Sequence, residues 1–355
     1  MMMKIAQVAP LFESVPPRLY GGTERVVSYL TEELVNKGHE VSLFASGDST
    51  TAAQLISPCP YSLRLDKNCE DQFAHHILML EMLQQKIEEF DIFQYHTGYL
   101  HFPMARYNRR PNVTTFHGRL NTPDTPALYH EFKDLPAVSI SQHQRLPYPE
   151  ANWVGTVYHG LPTQLLDFNP QAGNYLAFLG RTSPEKGLDK AIEIAIRCGI
   201  PLKIAAKVDK QDEIYFQEII KPLLNHPLLE FIGEIDENEK SEFLGKALAL
   251  LFPINWPEPF GLVVIEAMAC GTPVVAFRKG SVPEVVEDGS TGFIVDTIEE
   301  AIKAIEKINS IRRSHCRRVF ENRFSAERMT WDYLQVYQRE IDLKLNREFL
   351  LKKTI

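Results

Sequence analysis

Two carboxylates stand in one short, mostly apolar stretch of the chain, WPEPFGLVVIEAMACGTP. A helix is predicted over 260–269, with Pro259 presetting its start. Glu258 then precedes the helix, and Glu266 lies nearly two turns, roughly 9–10 Å, along its axis. That length is comparable to a nucleoside diphosphate, so the two side chains could bind hydroxyls at opposite ends of one ligand. Because an unpaired carboxylate is costly to bury in an apolar run, the alternative for Glu266 is a paired, structural role.

A pair of cations follows a predicted strand in the segment LGRTSPEKG. Arg181 stands at the strand end, and Lys186 at the start of the next predicted helix. Cations that converge on a helix N-terminus form a phosphate site, because the unpaired amides there already favour an anion. Gly261 would likewise let a ligand approach the backbone N–H groups at the start of the two-carboxylate helix. The alternative for the cations is a pair of surface charges on a loop.

A long glycine-ended loop follows the first predicted strand. It covers 10–22, about 13 residues, whereas ordinary strand-to-helix loops have about two to six. Its last residues, Gly21 and Gly22, precede a predicted helix that Thr23 could cap. Such a pair suits close backbone approach to an anion, and a generic turn is the alternative. The chain has no GxGxxG motif, which argues against a dinucleotide-dependent dehydrogenase.

Two histidines follow predicted strands in the first half of the chain, His96 and His117. Gly118 would open space beside His117, which makes His117 the better candidate for a functional role. His159, in a later loop, ranks lower. A histidine at a strand end is more often structural than catalytic, and that alternative stays open.

Apolar strands alternate with amphipathic helices along the chain, which predicts two consecutive α/β units with mainly parallel sheets. The predicted strands are 4–9, 39–45, 91–95, 113–116, 137–140, 175–179, 202–206, 229–232, 247–252 and 273–276. The predicted helices are 23–37, 187–198, 212–224, 239–246 and 260–269, with a long last one from 326 to about 350. The pattern pauses once in a stretch with Pro and Gly. We therefore expect a first domain over 1–160, a linker over 161–173, a second domain over 174–325 and a C-terminal helix over 326–355.

The composition argues against several classes of function. The 355 residues carry 38 Lys and Arg against 46 Asp and Glu, a net charge of −8, which argues against bulk nucleic-acid binding. The five cysteines are odd in number and show no CxxC spacing, which favours a reducing compartment over a disulfide framework or a zinc ribbon. No apolar run approaches the roughly 18 residues of a transmembrane helix, and the first apolar stretch is too short for a signal peptide.

These features predict a cytoplasmic protein. Two basic clusters occur late in the chain, one of them containing Arg313 and Arg317. Solvated helix faces are favoured for both clusters over a membrane-surface patch, so peripheral membrane contact is not the favoured interpretation.

Taken together, the motifs resemble the family 4 retaining glycosyltransferases, which have the GT-B fold. The resemblance spans nearly the whole chain and rests on YGGTE at 20–24, TFHG at 115–118, LGRTSPEKG at 179–187 and EPFGLVVIEAMACGTP at 258–273. The last segment matches the family's motif of two glutamates separated by seven residues. The resemblance implies two Rossmann-like, doubly wound domains that face each other across a cleft, with the C-terminal helix crossing back to the first domain.

The same resemblance implies a role for each matched residue. Arg181 and Lys186 would bind the donor diphosphate, Glu258 would hold hydroxyls of the transferred sugar, and these three with His117 would carry catalysis. On the donor side, Glu266 would bind the ribose and Ile235 would lie near the base. The backbone amides of Phe260, Gly261 and Leu262 would face the sugar and phosphates. Gly21 and Gly22 would approach the phosphate, and His117 would face the donor sugar. His96 would lie on the acceptor side, where Gln94 departs from a histidine that many relatives carry.

The expected activity is transfer of a hexosyl group from a nucleoside diphosphate sugar, a UDP- or GDP-sugar, to a hydroxyl-bearing acceptor, with retention at the anomeric carbon. No cofactor and no bound metal are expected, since the chain has no DxD triplet and Arg181, Lys186 and a helix N-terminus would supply positive charge. Three alternatives stay open. They are a glycoside hydrolase that uses Glu258 and Glu266 as its acid–base pair, a nucleotide-sugar epimerase, and a non-catalytic nucleotide-sugar binder.

Overall fold

The computed structural model describes residues 2–18, 21–108 and 110–353. Tyr20, in the first matched segment, lies outside the described residues. The chain forms two compact units. The first contains the described residues up to Gly160 and those from Ala326 onward, and the second is Leu161–Ser325. The segment 161–173, for which the sequence predicts a linker, is part of the second unit.

Each unit contains one sheet, and the strand pairings among the described residues are parallel. The strands are β1 (Lys4–Val8), β2 (Glu40–Phe44), β3 (Gln54–Ile56), β4 (Ile92–Tyr95), β5 (Asn112–Thr115), β6 (Ala137–Ser139), β7 (Trp153–Thr156), β8 (Leu176–Arg181), β9 (Leu202–Lys207), β10 (Leu229–Gly233), β11 (Ala249–Phe252), β12 (Val274–Phe277) and β13 (Gly292–Val295).

Helices alternate with these strands. They are α1 (Gly22–Asn36), α2 (Gln72–Gln85), α3 (Phe102–Tyr107), α4 (Pro126–Glu131), α5 (Leu188–Cys198), α6 (Glu213–Tyr215), α7 (Lys221–Leu223), α8 (Glu237–Gly245), α9 (Leu262–Ala269), α10 (Val282–Val285), α11 (Ile298–Glu306), α12 (Arg313–Arg323) and α13 (Ala326–Lys353). A π-helical turn, Phe216–Ile220, joins α6 to α7, and short 3₁₀ helices cover Ile87–Glu89, His143–Arg145, Lys210–Asp212 and Ile308–Ser310.

The first sheet has the order β3-β2-β1-β4-β5-β6-β7. The chain moves from β1 outward to β3 and then crosses to β4 on the other side of β1, so the strand order reverses between β1 and β4. The central strands β1, β4 and β5 are buried along nearly their whole length, as expected where both faces of a parallel sheet are covered, although they contain polar residues such as Gln7 and Gln94. Phe44, Phe93 and Tyr95 are fully buried in the resulting core.

The last helix completes the first unit. It packs against α1, and its Tyr333 and Tyr337 side chains are fully buried. The two rings stack on each other with their centroids 6.0 Å apart. Their hydroxyls lie in the polar interior beside β1, β4 and β5. A helix from the end of the chain thus supplies core residues to the unit that contains its beginning.

The second sheet repeats the arrangement with the order β10-β9-β8-β11-β12-β13. Here the strand order reverses between β8 and β11. Helix α5 is strongly amphipathic and turns its buried leucine, isoleucine and alanine side chains to the core, and left-handed glycines stand at both of its ends.

Two arginines of α12 correct the expectation of solvated basic faces. Arg313 is buried and donates to the carbonyl oxygens of Asn169, Gly245 and Ala247 at 2.7–2.9 Å. Arg317 donates to carbonyl oxygens of the segment 161–173 and of α9 at 2.6–2.9 Å. Because these guanidinium groups donate to backbone carbonyls both inside and outside the segment 161–173, they fasten that segment to the rest of the second unit.

Two helix starts also differ from the sequence prediction. The N-cap of α1 is Gly21, with Gly22 already helical, so Thr23 lies inside the helix and not at its cap. The N-cap of α9 is Gly261, so Pro259 does not begin that helix. Glu266 is therefore four residues into α9, roughly 6 Å along the axis and not 9–10 Å.

Candidate active site

Several of the residues singled out in the sequence lie at the strand ends where the order of each sheet reverses. In the first unit the loop after β1 leads to Gly21, and the loop after β4 begins with His96. In the second unit β8 ends at Arg181, and the loop after β11 contains Glu258. Ligands of open parallel sheets bind at these carboxyl ends, because the loops diverge there and leave a crevice. Each unit thus has one candidate site at the point where its own strand order reverses.

The second unit holds a lysine, a glutamate and a tryptophan together. Lys186 Nζ donates to Glu258 Oε2, and Trp256 Nε1 donates to the same oxygen at 2.9 Å. The ammonium also lies 5.3 Å from the centre of the Trp256 ring. The Lys186 and Glu258 side chains are only 17% and 12% exposed. Glu258 Oε1 receives no hydrogen bond from the described residues, so it can accept from a ligand hydroxyl.

The backbone around Glu258 is closely packed. Ser281 N donates to the Glu258 carbonyl oxygen at 3.0 Å, and a Cβ on Gly280 would lie 2.2 Å from that oxygen. Gly261 has a left-handed φ of +84°, and a Cβ there would lie 3.1 Å from the Phe252 ring. Glycine at these positions lets the loop turn into α9 and direct its first amides outward.

The loops after β8 and β11 are joined through their backbones. Gly187 has a φ of +70°, and a Cβ on it would lie 2.2 Å from the Pro253 carbonyl oxygen. Asn255 N donates to the Glu185 carbonyl oxygen at 2.8 Å. This contact places Lys186 beside Glu258, although 72 residues separate them in the chain.

Glu266 is paired, as its burial requires. Lys240 Nζ donates to Glu266 Oε1 at 2.8 Å, and the two side chains are 12% and 5% exposed. Lys240 lies on α8, whose N-terminus is fixed by a capping box of Asp236 and Glu239. Sequence reasoning missed Lys240, because nothing in the segment around it marks it apart from any helical lysine.

Arg181 lies among carboxylates. Its guanidinium is 3.5 Å from Asp212, 3.7 Å from Asp209 and 3.7 Å from Glu185. Burial raises the pKa of Asp212, even though Arg181 next to it acts in the opposite direction. An anionic ligand at Arg181 would therefore compete with carboxylates that already bind it.

The first unit brings the two predicted histidines into contact. His96 Nδ1 lies 2.7 Å from His117 Nε2, and His96 Nε2 lies 2.8 Å from Gln7 Oε1. The His117 ring stacks on His159, with centroids 5.2 Å apart and planes 18° apart. His159, which ranked lower from sequence, is thus part of the same group, and Gln7 was missed because it stands inside an apolar strand.

These histidines are held neutral by their surroundings. Burial lowers the pKa of His117 to about 3, and burial followed by repulsion from His117 lowers the pKa of His96 and His159 well below the usual range. A neutral imidazole has one donor and one acceptor nitrogen, so the group acts by hydrogen bonding and not by charge.

The glycine-ended loop of the first unit packs tightly. A Cβ on Gly21 would lie 2.7 Å from Pro17 Cβ, so the position has no room for a side chain. Glu24, in the first turn of α1, is buried, and burial raises its pKa to about 7. Arg64 forms an ion pair with Glu13 at 2.9 Å in the same region.

Three predicted donor-side residues have defined positions. Phe260 is buried and packs edge-on against Phe324, so only its backbone is available to a ligand. Leu262 begins α9, which leaves its amide without an intrahelical acceptor. Ile235 is buried between β10 and the cap of α8. Among the described residues, no group of three or more His, Cys, Asp or Glu side chains is arranged to hold a metal ion.

Comparison with known proteins extends these observations. Residues 20–157 match the family model for Glycosyltransferase Family 4, and residues 168–323 match that for Glycosyl transferases group 1. A phosphatidyl-myo-inositol mannosyltransferase of Mycolicibacterium smegmatis is 26% identical over 95% of this chain and 94% of its own. The chain belongs to glycosyltransferase family 4.

Solved structures confirm the expected fold of this glycosyltransferase. Sucrose-phosphate synthase from Thermosynechococcus elongatus is 17% identical, with a TM-score of 0.77 over 95% of this chain and 98% of its own. HepE from Anabaena, solved with UDP and glucose, is 18% identical, with a TM-score of 0.73 over 95% and 100%. The two Rossmann-like units are those of the GT-B fold. No helix in the described part of this glycosyltransferase has the length and apolarity needed to cross a membrane.

Proposed function

We propose that this glycosyltransferase moves a hexosyl group from a UDP- or GDP-sugar to a hydroxyl-bearing acceptor, with retention of the anomeric configuration. The observation that supports it best is the contact of Lys186, Trp256 and Glu258 beside the start of α9. This arrangement combines a cation and unpaired amides, which suit a diphosphate, with a carboxylate oxygen that suits sugar hydroxyls.

The second unit would bind most of the donor. Lys186, Arg181 and the first amides of α9 would bind the diphosphate, and Glu258 would orient hydroxyls of the transferred sugar. Glu266 would bind the ribose, and its pairing with Lys240 leaves its second oxygen for that purpose. From the first unit, the family resemblance assigns His117 to the transferred sugar and Gly21 and Gly22 to the phosphate.

The proposed chemistry needs no nucleophile from the protein. The bond between the anomeric carbon and the diphosphate oxygen breaks, and the acceptor oxygen bonds to the same face of that carbon. The acceptor proton passes to the departing diphosphate oxygen. Lys186 and the amides of α9 would stabilise the negative charge that grows on that oxygen, and with Arg181 they would supply what a metal ion supplies elsewhere. We therefore expect transfer to continue in EDTA.

The comparisons support a nucleotide-sugar donor. The relative from Mycolicibacterium smegmatis is named as a mannosyltransferase, and HepE was solved with UDP and glucose. The five cysteines of the chain are free thiols, which fits a reducing compartment and supports our proposal that the enzyme is cytoplasmic.

The direct test is a calorimetric titration of the full chain with UDP, GDP and ADP and with their glucose and mannose conjugates. One nucleotide series should bind selectively and raise the melting temperature by mass action. Glu258→Gln should weaken the binding of the sugar conjugate more than the binding of the free nucleotide, because Glu258 is assigned to the sugar. Equal loss for both, or no binding in any series, would contradict the assignment.

Turnover then separates the remaining possibilities. With the donor identified, NMR of the product should show the same anomeric configuration as in the donor. Release of sugar from a glycan without any nucleotide sugar would instead favour a hydrolase. Conversion of the donor to an isomer would favour an epimerase, and binding with no turnover would favour a binding protein.

A further inference from the structure

A chain of hydrogen bonds runs from the interior of the first unit to His117. Gln7, on β1, is fully buried, and its Oε1 lies 2.8 Å from His96 Nε2. His96 Nδ1 lies 2.7 Å from His117 Nε2. His117 Nδ1 is buried and has no hydrogen-bond partner among the described residues. His117 Nδ1, at the end of this series of hydrogen bonds, is thus left for a ligand.

The direction of this chain is set by the amide of Gln7. Its Nε2 donates to Gln94 Oε1 at 3.0 Å and to the Tyr337 hydroxyl at 3.0 Å. Its Oε1 is therefore the acceptor that faces His96, and His96 Nε2 must carry the hydrogen. Because a neutral imidazole has a single N–H, His96 Nδ1 is then an acceptor and His117 Nε2 is the donor to it.

The amide of Gln94 supports the same direction. It faces Gln7 across the pairing of β1 with β4, and its Nε2 donates to Thr115 Oγ1 at 2.9 Å. Thr115 Oγ1 lies 3.1 Å from the Tyr333 hydroxyl, and the Tyr337 hydroxyl donates to Gln94 Oε1. Gln7 is thus held by partners on β4 and α13. The hydrogen-bond directions would reverse only if the side-chain amides of Gln7 and Gln94 both rotated by half a turn. In that case the hydrogen of His117 would lie on Nδ1.

We propose that Gln7 is a positioning residue that fixes the tautomers of His96 and His117, so that His117 presents the acceptor Nδ1 to a hydroxyl of the substrate. The contact with a substrate hydroxyl rests on the proposed function, whereas the tautomers do not. Burial keeps both imidazoles neutral, and stacking on His159 holds the plane of the His117 ring.

The proposal has a consequence for selectivity. An acceptor nitrogen binds a group that carries a hydrogen, so His117 would select a sugar hydroxyl over a fluorine or a methyl ether at the contacted carbon. A donor nitrogen would tolerate both replacements, because each can still accept a hydrogen bond. The tautomer therefore decides which analogues the enzyme rejects.

The test is a long-range ¹H–¹⁵N correlation spectrum of the histidine rings in the full chain at pH 7.5, without ligand. Signals are assigned by their loss in His96→Asn and His117→Asn. Wild-type His117 should have a protonated Nε2 and an unprotonated Nδ1. A hydrogen on Nδ1 would overturn the proposal, and this result needs no variant that might not fold.

A substitution of Gln7 tests whether it sets the tautomer. Gln7→Met has nearly the same volume without an acceptor and should give a mixture of tautomers at His117. Thr114→Val is the matched control, since it removes a partner of a different buried histidine, His101. An unchanged His117 spectrum in Gln7→Met would overturn the role of Gln7.

Activity provides a separate readout. If transfer is observed, Gln7→Met should lower kcat by about tenfold, the value of one hydrogen bond. Failure of every donor to react, with the tautomers as stated, would reject the proposed function and leave the positioning role in place. Transfer at the wild-type rate in Gln7→Met would reject the role in catalysis.

Discussion

The two units place different chemistry at the same point of the same topology. Where the strand order reverses in the first unit, the side chains are amides, hydroxyls and neutral imidazoles joined by hydrogen bonds. At the equivalent point of the second unit they are lysines, arginine and carboxylates joined in ion pairs. The sheet order decides where a ligand can bind, whereas the loop residues decide what kind of group is bound. A neutral network suits hydroxyls, and a charged one suits a diphosphate.

The largest expected effect concerns the buried ion pair of the second unit. Lys240→Met leaves Glu266 buried without its partner and should lower the free energy of unfolding by about 3–5 kcal/mol. Urea denaturation measures this loss. In the double variant Lys240→Met/Glu266→Met most of the stability should return, because no uncompensated charge remains. Lys246→Met, which breaks an exposed pair with Glu242, is the control and should change little.

The next effect is on catalysis. Lys186→Ala removes the cation beside Glu258 and should lower kcat/KM for the identified donor by about 10²–10³-fold, as expected for one preorganised group that stabilises developing charge. Steady-state kinetics of Lys186→Ala and of the control variant Lys246→Ala measure the difference in kcat/KM. A loss no greater than in the control would remove the assignment of charge stabilisation to the second unit.

Acid should affect the first unit more than the second. His101 is fully buried, and burial lowers its pKa to about 3. In the unfolded chain the pKa of His101 is 6.5, so below that pH the unfolded state binds a proton that the folded state does not. The stabilisation is complete above pH 6.5 and is lost as the pH falls towards 3, by roughly 2 kcal/mol at pH 5. His96, His117 and His159 act in the same direction, whereas residues 161–325 bury no histidine.

Hydrogen exchange at pH 5 and pH 7.5, corrected for the intrinsic rates, checks this difference. Protection should fall more in β4 and β5 than in β8 and β9. Glu24 opposes the histidines, because its raised pKa of about 7 makes the folded state bind the extra proton between about 4.5 and 7. Glu24→Gln should therefore steepen the loss of stability in acid, and His101→Gln should reduce it. Equal acid sensitivity of both units would contradict the comparison.

The smallest effect belongs to a single neutral contact. Thr115→Val removes the hydroxyl that accepts from Gln94 and contacts Tyr333, and it should cost about 1–2 kcal/mol of stability. The change in the urea midpoint measures this. Thr122→Val, in a half-buried hydrogen-bonded pair with Thr125, is the control. A loss as large as that in Lys240→Met would mean that the neutral network is no weaker than the ionic one.

Much of the fold was predictable from the sequence, because most of the inner strands are short, largely apolar segments that alternate with amphipathic helices. The strands that sequence reasoning missed, β3, β7 and β13, all lie at the edges of their sheets. Edge strands are short and partly exposed, so they lack the run of buried residues that marks the others. The start of α9 was misplaced for a different reason: a glycine with positive φ, and not the proline before it, forms the N-cap.

The candidate site was predictable to the extent that local segments mark it. Glu258, Lys186 and His117 stand in recognisable motifs at strand ends, and the structure brings Lys186 to Glu258 and His117 to His96. The partners Lys240 and Gln7 stand in no motif. Their roles depend on side chains 26 and 89 residues away, and such contacts are decided by packing and not by spacing along the chain.

The return of α13 to the first unit has a consequence for synthesis on the ribosome. Tyr333 and Tyr337 complete the polar interior around Gln7, but they are made only after residues 161–325, a stretch of 325 − 161 + 1 = 165 residues. At about 5–20 residues per second this delay is roughly 8–33 s. During that interval the second unit, which is continuous in the chain, can complete its own fold, while the earlier-made unit still lacks part of its interior. The half of the enzyme that is translated first is therefore the half that matures last.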